Sequence, residues 1–335
     1  MKPQRLSKGD TVGVVSPSWY GGEAFDHRIE CGVAHLRGLG FNVKIAPHAL
    51  NCAGHVSDTP ENRAADLHAM FADPEVRAII ATIGGDHSCH LLPLLDWDLI
   101  RANPKIFMGF SDNTVLNVAI WTQTGLITFN GPTLMTDWAE YPKMPEYSER
   151  YALRALCEVK PLGVIEPSEW WTEEYLDWKK KEDLTRPRRR QRSEGWSWLG
   201  SGRAQGVLIG GCLESMQHLR GTPYWPEWEE GILFLETSEE KPAPTKVDSI
   251  LMDYENMGML GQIRGLLFAR PYGYSAEERR QLREVIMERT QRYDFPIVTD
   301  MDFGHTSPIF TLPVGCRASI NIEDRRFAIV EAAVS

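Results

Sequence analysis

The chain has 335 residues, of which 42% are apolar and 24% charged, and a formal net charge of −10. This size allows two globular domains with a real core, and the negative balance excludes a general nucleic-acid binder, whose phosphate contacts need a positive surface. Six scattered cysteines with no CxxC pair and no Cys/His metal spacing, a start without an apolar signal core, and no apolar run of membrane-spanning length lead us to expect a cytoplasmic protein with free thiols, no metal and no membrane contact.

In chain order, Asp10–Ser18 is an apolar run ending in Ser-Pro-Ser, the pattern of a buried strand and turn. Phe25, Ile29, Val33 and Leu36 follow at helical spacing, closed by Gly38 and Gly40. "FNVKIAP" reads as a second strand. Thr59 and Pro60 then open a helix as N-cap and first helical residue, with Ala64, Leu67 and Phe71 on one face. Val76–Gly85 is almost continuously apolar, as in a parallel strand covered on both sides. "KIFMGF" and "LITFNGP" are further strands, with a helix predicted over 112–124 between them. Strands alternating with helices make this an open, mostly parallel α/β unit.

The character changes after Tyr141, where a proline-led helix precedes five tryptophans (Trp170, Trp171, Trp178, Trp196, Trp198) around a basic run. Lys179–Arg192 holds eight Lys/Arg against two acids and by itself reads as a solvated linker, although the flanking aromatics require its ends to pack. A second α/β unit follows: "GVLIGGCLESMQHLRG" as strand, Gly-Gly turn and helix, "GILFLETSEE" as a strand ending in acids, then helix, strand, amphipathic helix, strand, loop and strand, with a closing hairpin turning at Glu323-Asp324. The expected organisation is 1–165, a connecting loop 166–203, and 204–335.

Several groups are placed to do chemistry. Ser111 sits in Gly109-Phe110-Ser111-Asp112-Asn113 where a strand meets a helix, a corner that displays a nucleophile but also one where serine commonly caps the helix. Gly84-Gly85-Asp86 ends the preceding strand. If the two strands are neighbours, the N–H groups of Gly85 and Asp112 form an oxyanion hole above Ser111; otherwise this is an ordinary turn. A serine needs a base. Of nine histidines, His305 stands out in a glycine-bearing loop after a strand, with His87 as its competitor. Glu236, at the end of an apolar strand, is the candidate to orient the base, with Glu239, Glu240, Asp300 and Asp302 as rivals; Asp302 is close enough to His305 in sequence to serve only the loop's shape.

"KIFMGFSDNTVLN", "GILFLETSEE", "GLLFARPYGYS" and "DFGHTSPIFTLPVG" together resemble the family of serine LD-carboxypeptidases and microcin C self-immunity (MccF-type) proteins, over nearly the whole chain. The resemblance implies two α/β domains, an N-terminal flavodoxin-like sheet and a C-terminal swivelling domain, with the active site between them, and a homodimer. It implies Ser111 as nucleophile, His305 as general base, Glu236 as its orienting carboxylate, Gly85 and Asp112 as oxyanion hole, and no cofactor. One branch of the family removes the terminal D-alanine of murein tetrapeptides; the MccF-like branch cleaves between an aminoacyl or peptidyl group and a nucleotide-like moiety. "SEWWTEEYLDW" is similar to the longer aromatic loop of the second branch, so Trp170, Trp171 and Trp178, with Asp86, are the candidate substrate contacts, against the alternative that all these tryptophans are packing. Trp196 and Trp198 are expected to pack near the second domain. A non-catalytic nucleotide- or sugar-binding protein is the remaining alternative.

Overall fold

The computed structural model describes residues 1–22 and 24–335. Near-continuous apolar runs become central strands. Val76–Ala81, buried except for half-exposed Arg77, lies inside a six-stranded sheet ordered Leu312–Val314, Thr128–Asn130, Ile106–Met108, Val76–Ala81, Thr11–Val15, Asn42–Ile45. All neighbours are parallel except the Leu312–Val314 edge. Leaving that edge aside, this is the flavodoxin-like order, whose direction of winding reverses between the first and third strands. Side chains alternate across the sheet: Ala78 and Ile80 join Ile29, Val33 and Leu36 in one core, while Ile79 joins Leu67, Phe71 and Val115 in the other.

The second sheet is ordered Gly163–Val164, Arg326–Ile329, Arg317–Asn321, Arg203–Cys212, Gly231–Glu236, Gly265–Ala269, Ile297–Met301, Ser197–Leu199. Its four central strands are parallel, and the outer ones, including the expected hairpin, pair antiparallel. The Gly-Gly turn expected at 210–211 is instead strand. A Cβ on Gly210 would strike the Phe234 carbonyl, and one on Gly211 would strike Thr114 of the first domain. These glycines serve close backbone approach rather than a reversal of direction. Next to them the Cys212 N–H donates to Thr114 Oγ1 at 2.9 Å, a hydrogen bond across the two domains.

The sheets are not two contiguous stretches of chain. Gly163–Val164 pairs in the second sheet, and Leu312–Val314 returns to pair with Thr128–Asn130 in the first. Residues 302–311 are therefore a bridge between the domains, with a strand of the second sheet before it and a strand of the first after it. The bridge is held by Asp302, which is fully buried and accepts from Arg270 Nη1 at 2.8 Å, Trp196 Nε1 at 2.8 Å and Ser168 N at 2.9 Å. Both ends of the connecting loop are thus tied to it.

The loop itself is ordered rather than a solvated linker. Trp170–Trp171 pairs with Gln191–Arg192, and Arg186 makes a two-pronged contact with Glu174 at 2.8 and 2.8 Å. Asp183 is buried against the first domain, 2.9 Å from Arg28 Nη1 and 3.2 Å from His27 Nε2. No helix among the described residues is long and apolar enough to cross a membrane. Replacing Asp302 by alanine strands the buried Arg270 guanidinium without its counter-charge, and we expect destabilisation by about 3–5 kcal/mol. Thermal or urea unfolding measures it; a midpoint equal to wild type would contradict the bridging role given to Asp302.

Candidate active site

The strand Ile106–Met108 passes into the helix Asn113–Thr124 through Gly109–Asp112. Two asparagines clamp this corner. Asn113 Nδ2 donates to the carbonyls of Ile83 (3.1 Å) and Phe110 (3.0 Å), and Asn117 Nδ2 donates to that of Gly109 (2.8 Å). Ser111 is held at φ 60°, the left-handed region that a residue with a Cβ seldom occupies. The capping alternative is corrected here: the N-cap position falls on Asp112, no side chain caps the helix, and Ser111 Oγ lies 3.1 Å from His305 Nε2. The Asp112 carboxylate instead accepts from Ser88 N at 2.8 Å.

The strand carrying Gly84 and Gly85 is the immediate neighbour of the one before Ser111. A Cβ on Gly84 would stand 2.7 Å from Ser111 Cβ, and one on Gly85, at φ 135°, would stand 2.5 Å from Ser18 Oγ. Glycine is needed here so that this loop can lie against the serine. Among the described residues, the N–H groups of Gly85 and Asp112 have no hydrogen-bond acceptor within the chain.

The other side comes from the second domain and the bridge. Gly231–Glu236 ends at a carboxylate that is 1% exposed, and Glu236 Oε2 lies 2.6 Å from His305 Nδ1. Gly304, at φ 84°, precedes the histidine because a Cβ there would strike that same carboxylate. The Phe110 ring meets the imidazole edge-on at 5.1 Å. A further carboxylate, Glu239 Oε2, lies 2.9 Å from His305 Nε2 and is two-thirds exposed. Burial pushes the Glu236 carboxyl above its usual range, with the His305 charge pulling the other way. Burial also disfavours a charged His305, but the charge and hydrogen bond of Glu236, joined by Glu239, outweigh it and hold the imidazolium well above its ordinary range. The hydrogen bond to His305 in turn lowers Glu239.

Of the rival residues, Glu239 reaches the other nitrogen of His305 and the rest go elsewhere. His87 packs against the rings of His55, tilted at 4.6 Å, and His90, edge-on at 5.2 Å, and does not line the cleft that holds Ser111. Asp300 contacts Ser197 Oγ and Arg283, and Asp302 serves the bridge. Glu240 is exposed.

Ser111 and His305 line a cleft of about 560 Å³ whose walls include Gly85, Asp86, Trp19, Tyr175, Trp178 and Tyr272. Of the three candidate tryptophans only Trp178 reaches it, with its ring on the Arg28 guanidinium at 4.6 Å and edge-on to Phe25 at 5.6 Å. Trp170 and Trp171 are corrected: neither lines the cleft. Their faces are covered by Arg190 of the basic run at 3.7 Å and Arg270 of the second domain at 4.7 Å, so guanidinium groups pack the aromatic loop. Trp196 is buried in the core beside Trp198, which pairs with the second sheet. Asp86 does line the cleft, and burial, with Asp112 nearby, raises its carboxyl. Sequence reasoning missed the clamps Asn113 and Asn117 and the wall residues Trp19 and Tyr272. Only the Ser-Asp-Asn run hinted at the first, and it equally suits any helix start.

Comparison with known proteins covers both halves of this arrangement. Residues 12–131 match the LD-carboxypeptidase N-terminal domain and residues 205–320 the LD-carboxypeptidase C-terminal domain. The chain is 35% identical to YocD of Bacillus subtilis (strain 168), across 95% of each chain. It is 30% identical to the microcin C7 self-immunity protein MccF of Escherichia coli, across 98% of this chain and 96% of that one. To the "probable murein peptide carboxypeptidase" of Bacillus subtilis (strain 168) it is 31% identical, across 100% and 95%. Among solved structures, MccF in complex with glutamyl sulfamoyl guanosine superposes with a TM-score of 0.91 at 28% identity, covering 100% of this chain and 99% of that one. With both domain models matched and full-length relatives above 30% identity, the chain belongs to the LD-carboxypeptidase (peptidase S66) family.

Proposed function

We propose that this chain is a serine hydrolase of the MccF-like kind, cutting the amide or carboxamide bond between an aminoacyl or peptidyl group and a nucleotide-like moiety. The observation that carries the reading is the unbroken hydrogen-bonded line Ser111 Oγ, His305, Glu236 on the wall of an aromatic-lined cleft. In this reading Ser111 Oγ attacks the scissile carbonyl carbon while its proton passes to His305 Nε2. The developing oxyanion is met by the N–H groups of Gly85 and Asp112. His305 then protonates the leaving nitrogen, and the acyl group stays on Ser111. Water enters, gives a proton to His305, and releases the acid and the free serine. Glu236 keeps the ring oriented with Nδ1–H toward it and offsets the charge formed when Nε2 takes the proton.

The nucleotide-like half of the substrate is assigned to the aromatic side of the cleft, where Trp178, Trp19 and Tyr175 offer faces and edges to a base. The self-immunity role is part of this proposal, as is a homodimer. A second reading, removal of the terminal D-alanine from a murein tetrapeptide, is supported by the full-length similarity to the murein peptide carboxypeptidase-type relative. It uses the same three residues and differs only in what fills the cleft.

We expect Ser111→Ala to lower turnover by at least about 10³-fold with the unfolding midpoint unchanged. A fluorophosphonate should label wild type at Ser111 and leave the variant unlabelled. Labelling absent from both would favour a non-catalytic binding protein. Given an aminoacyl-sulfamoyl-adenosine and a murein tetrapeptide in parallel, the protein should cut the first; cleavage of the tetrapeptide alone would select the second reading. Trp178→Ala should raise KM for the nucleoside substrate by roughly 5- to 150-fold, the equivalent of one lost stack of about 1–3 kcal/mol. An unchanged KM would remove Trp178 from the site.

A further inference from the structure

The contact between Glu239 and His305 plays no part in the mechanism above and runs against it. Glu236 Oε2 lies 2.6 Å from Nδ1, and Glu239 Oε2 lies 2.9 Å from Nε2. An ionised carboxylate has no proton to give, so each ring nitrogen must donate. With both carboxylates ionised, the imidazole between them is an imidazolium. Its Nε2–H donates to Ser111 Oγ at 3.1 Å, with the Glu239 carboxylate paired to the same nitrogen. In that arrangement Nε2 has no lone pair for the serine proton, and His305 is not a base.

The surroundings say what would draw Glu239 away. It sits on an exposed turn after Glu236, and Glu240 beside it and Asp86 across the mouth of the cleft have no ion-pair partner among the described residues. Burial raises both carboxyls, and the charge of Asp86 adds to the rise at Glu240. Arg28 and Arg188, the guanidinium groups on the cleft wall, are already paired with Asp183 at 2.9 Å and Glu140 at 2.6 Å. The charges of His87 and His218 act on Asp86, that of Glu214 acts on Glu236, and those of Glu173 and Glu239 act on Tyr272. Among the described residues, the mouth beside the serine is therefore rich in carboxylates, and each arginine lining the cleft already has a carboxylate partner.

We propose that Glu239 is a positioning residue that latches His305 in its charged, unreactive form, and that a cationic group of the bound substrate releases it. The inference rests on the hydrolase reading of the cleft. A substrate ammonium pairs with the Glu239 carboxylate and moves it off Nε2. The uncovered Nε2–H passes its proton to solvent, leaving a neutral imidazole with a lone pair facing Ser111. Recognition of a positive charge and arming of the base are then one event, and an amide without a nearby ammonium is a poor substrate even if it fits.

The test uses the full chain, with Glu239→Gln and, as a neighbour that does not touch the ring, Glu240→Gln. An uncharged fluorophosphonate reports the reactivity of Ser111 against pH without reference to any substrate. Because the latch keeps the ring protonated to higher pH, labelling of wild type should rise only at the upper end of the range. In Glu239→Gln the rise should move down by about one pH unit or more, with labelling near pH 6 about tenfold faster, as expected for the loss of one carboxylate within contact distance. Glu240→Gln should follow wild type. In the hydrolysis assay, the ratio of kcat/KM for a free-amine aminoacyl-sulfamoyl-adenosine to that for its N-acetyl counterpart should fall at least about tenfold in Glu239→Gln. A labelling profile unmoved in Glu239→Gln, or moved equally in Glu240→Gln, overturns the latch. An unmoved amine-to-acetyl ratio overturns its release by a cation. No labelling of Ser111 in wild type at any pH overturns the hydrolase reading itself, and the inference with it.

Discussion

The site depends on a carboxylate buried at the end of a strand and held 2.6 Å from one nitrogen of His305. Glu236 is almost wholly removed from water, an environment that an isolated carboxylate does not tolerate without partners. The imidazole is that partner. Gly304 is present because any side chain there would occupy the carboxylate's place. The charge pair thus dictates the conformation of the loop beside it, and that loop aims the other ring nitrogen at the serine.

That aim spans two domains, and the connectivity of the chain holds it. His305 rides on a bridge whose flanking strands belong to different sheets, so a rotation of one domain against the other would pull on both ends of the bridge. The Thr114–Cys212 hydrogen bond and the close packing of Gly211 on Thr114 fasten the same seam one turn of helix away from Ser111. The parallel strands of both sheets point their carboxyl ends at the cleft, where an open α/β sheet presents ligand groups. The serine corner, the two glycines and the buried glutamate all occupy such ends.

The connecting loop shows how a strongly basic segment is accommodated in an acidic protein. Its guanidinium groups cover the face of Trp170 or pair with carboxylates, and its one buried acid, Asp183, seals against Arg28 and His27 of the first domain. The result is a fixed wall. Of the loop's aromatic side chains, Tyr175 and Trp178 reach the cleft and the rest are consumed by packing. Carboxylates from the loop and from both domains line the same cleft as these aromatics.

The alternation of strands and helices, the doubly covered sheet, the hairpin and the candidates Ser111, Glu236 and His305 were legible in the string, because burial imposes a periodicity of its own and a polar residue at the end of an apolar run stands out. The strand at Gly210–Gly211 was not, since two glycines look alike whether they turn the chain or admit a neighbour's backbone. Nor was the fate of Trp170 and Trp171, whose partners lie 20 to 99 residues away in the chain and meet them only after folding. The choice of His305 over His87 and of Glu236 over Asp302 is likewise a matter of distance: each is a plausible loop or strand-end residue, and only packing brings one pair to hydrogen-bond contact and sends the others elsewhere. Local pattern determined what each segment is. Which side chains share a crevice, and that Glu239 lies on the second nitrogen of the imidazole, was decided by the tertiary structure, because such contacts depend on the crossing of the bridge between two sheets and leave no periodic trace in the sequence.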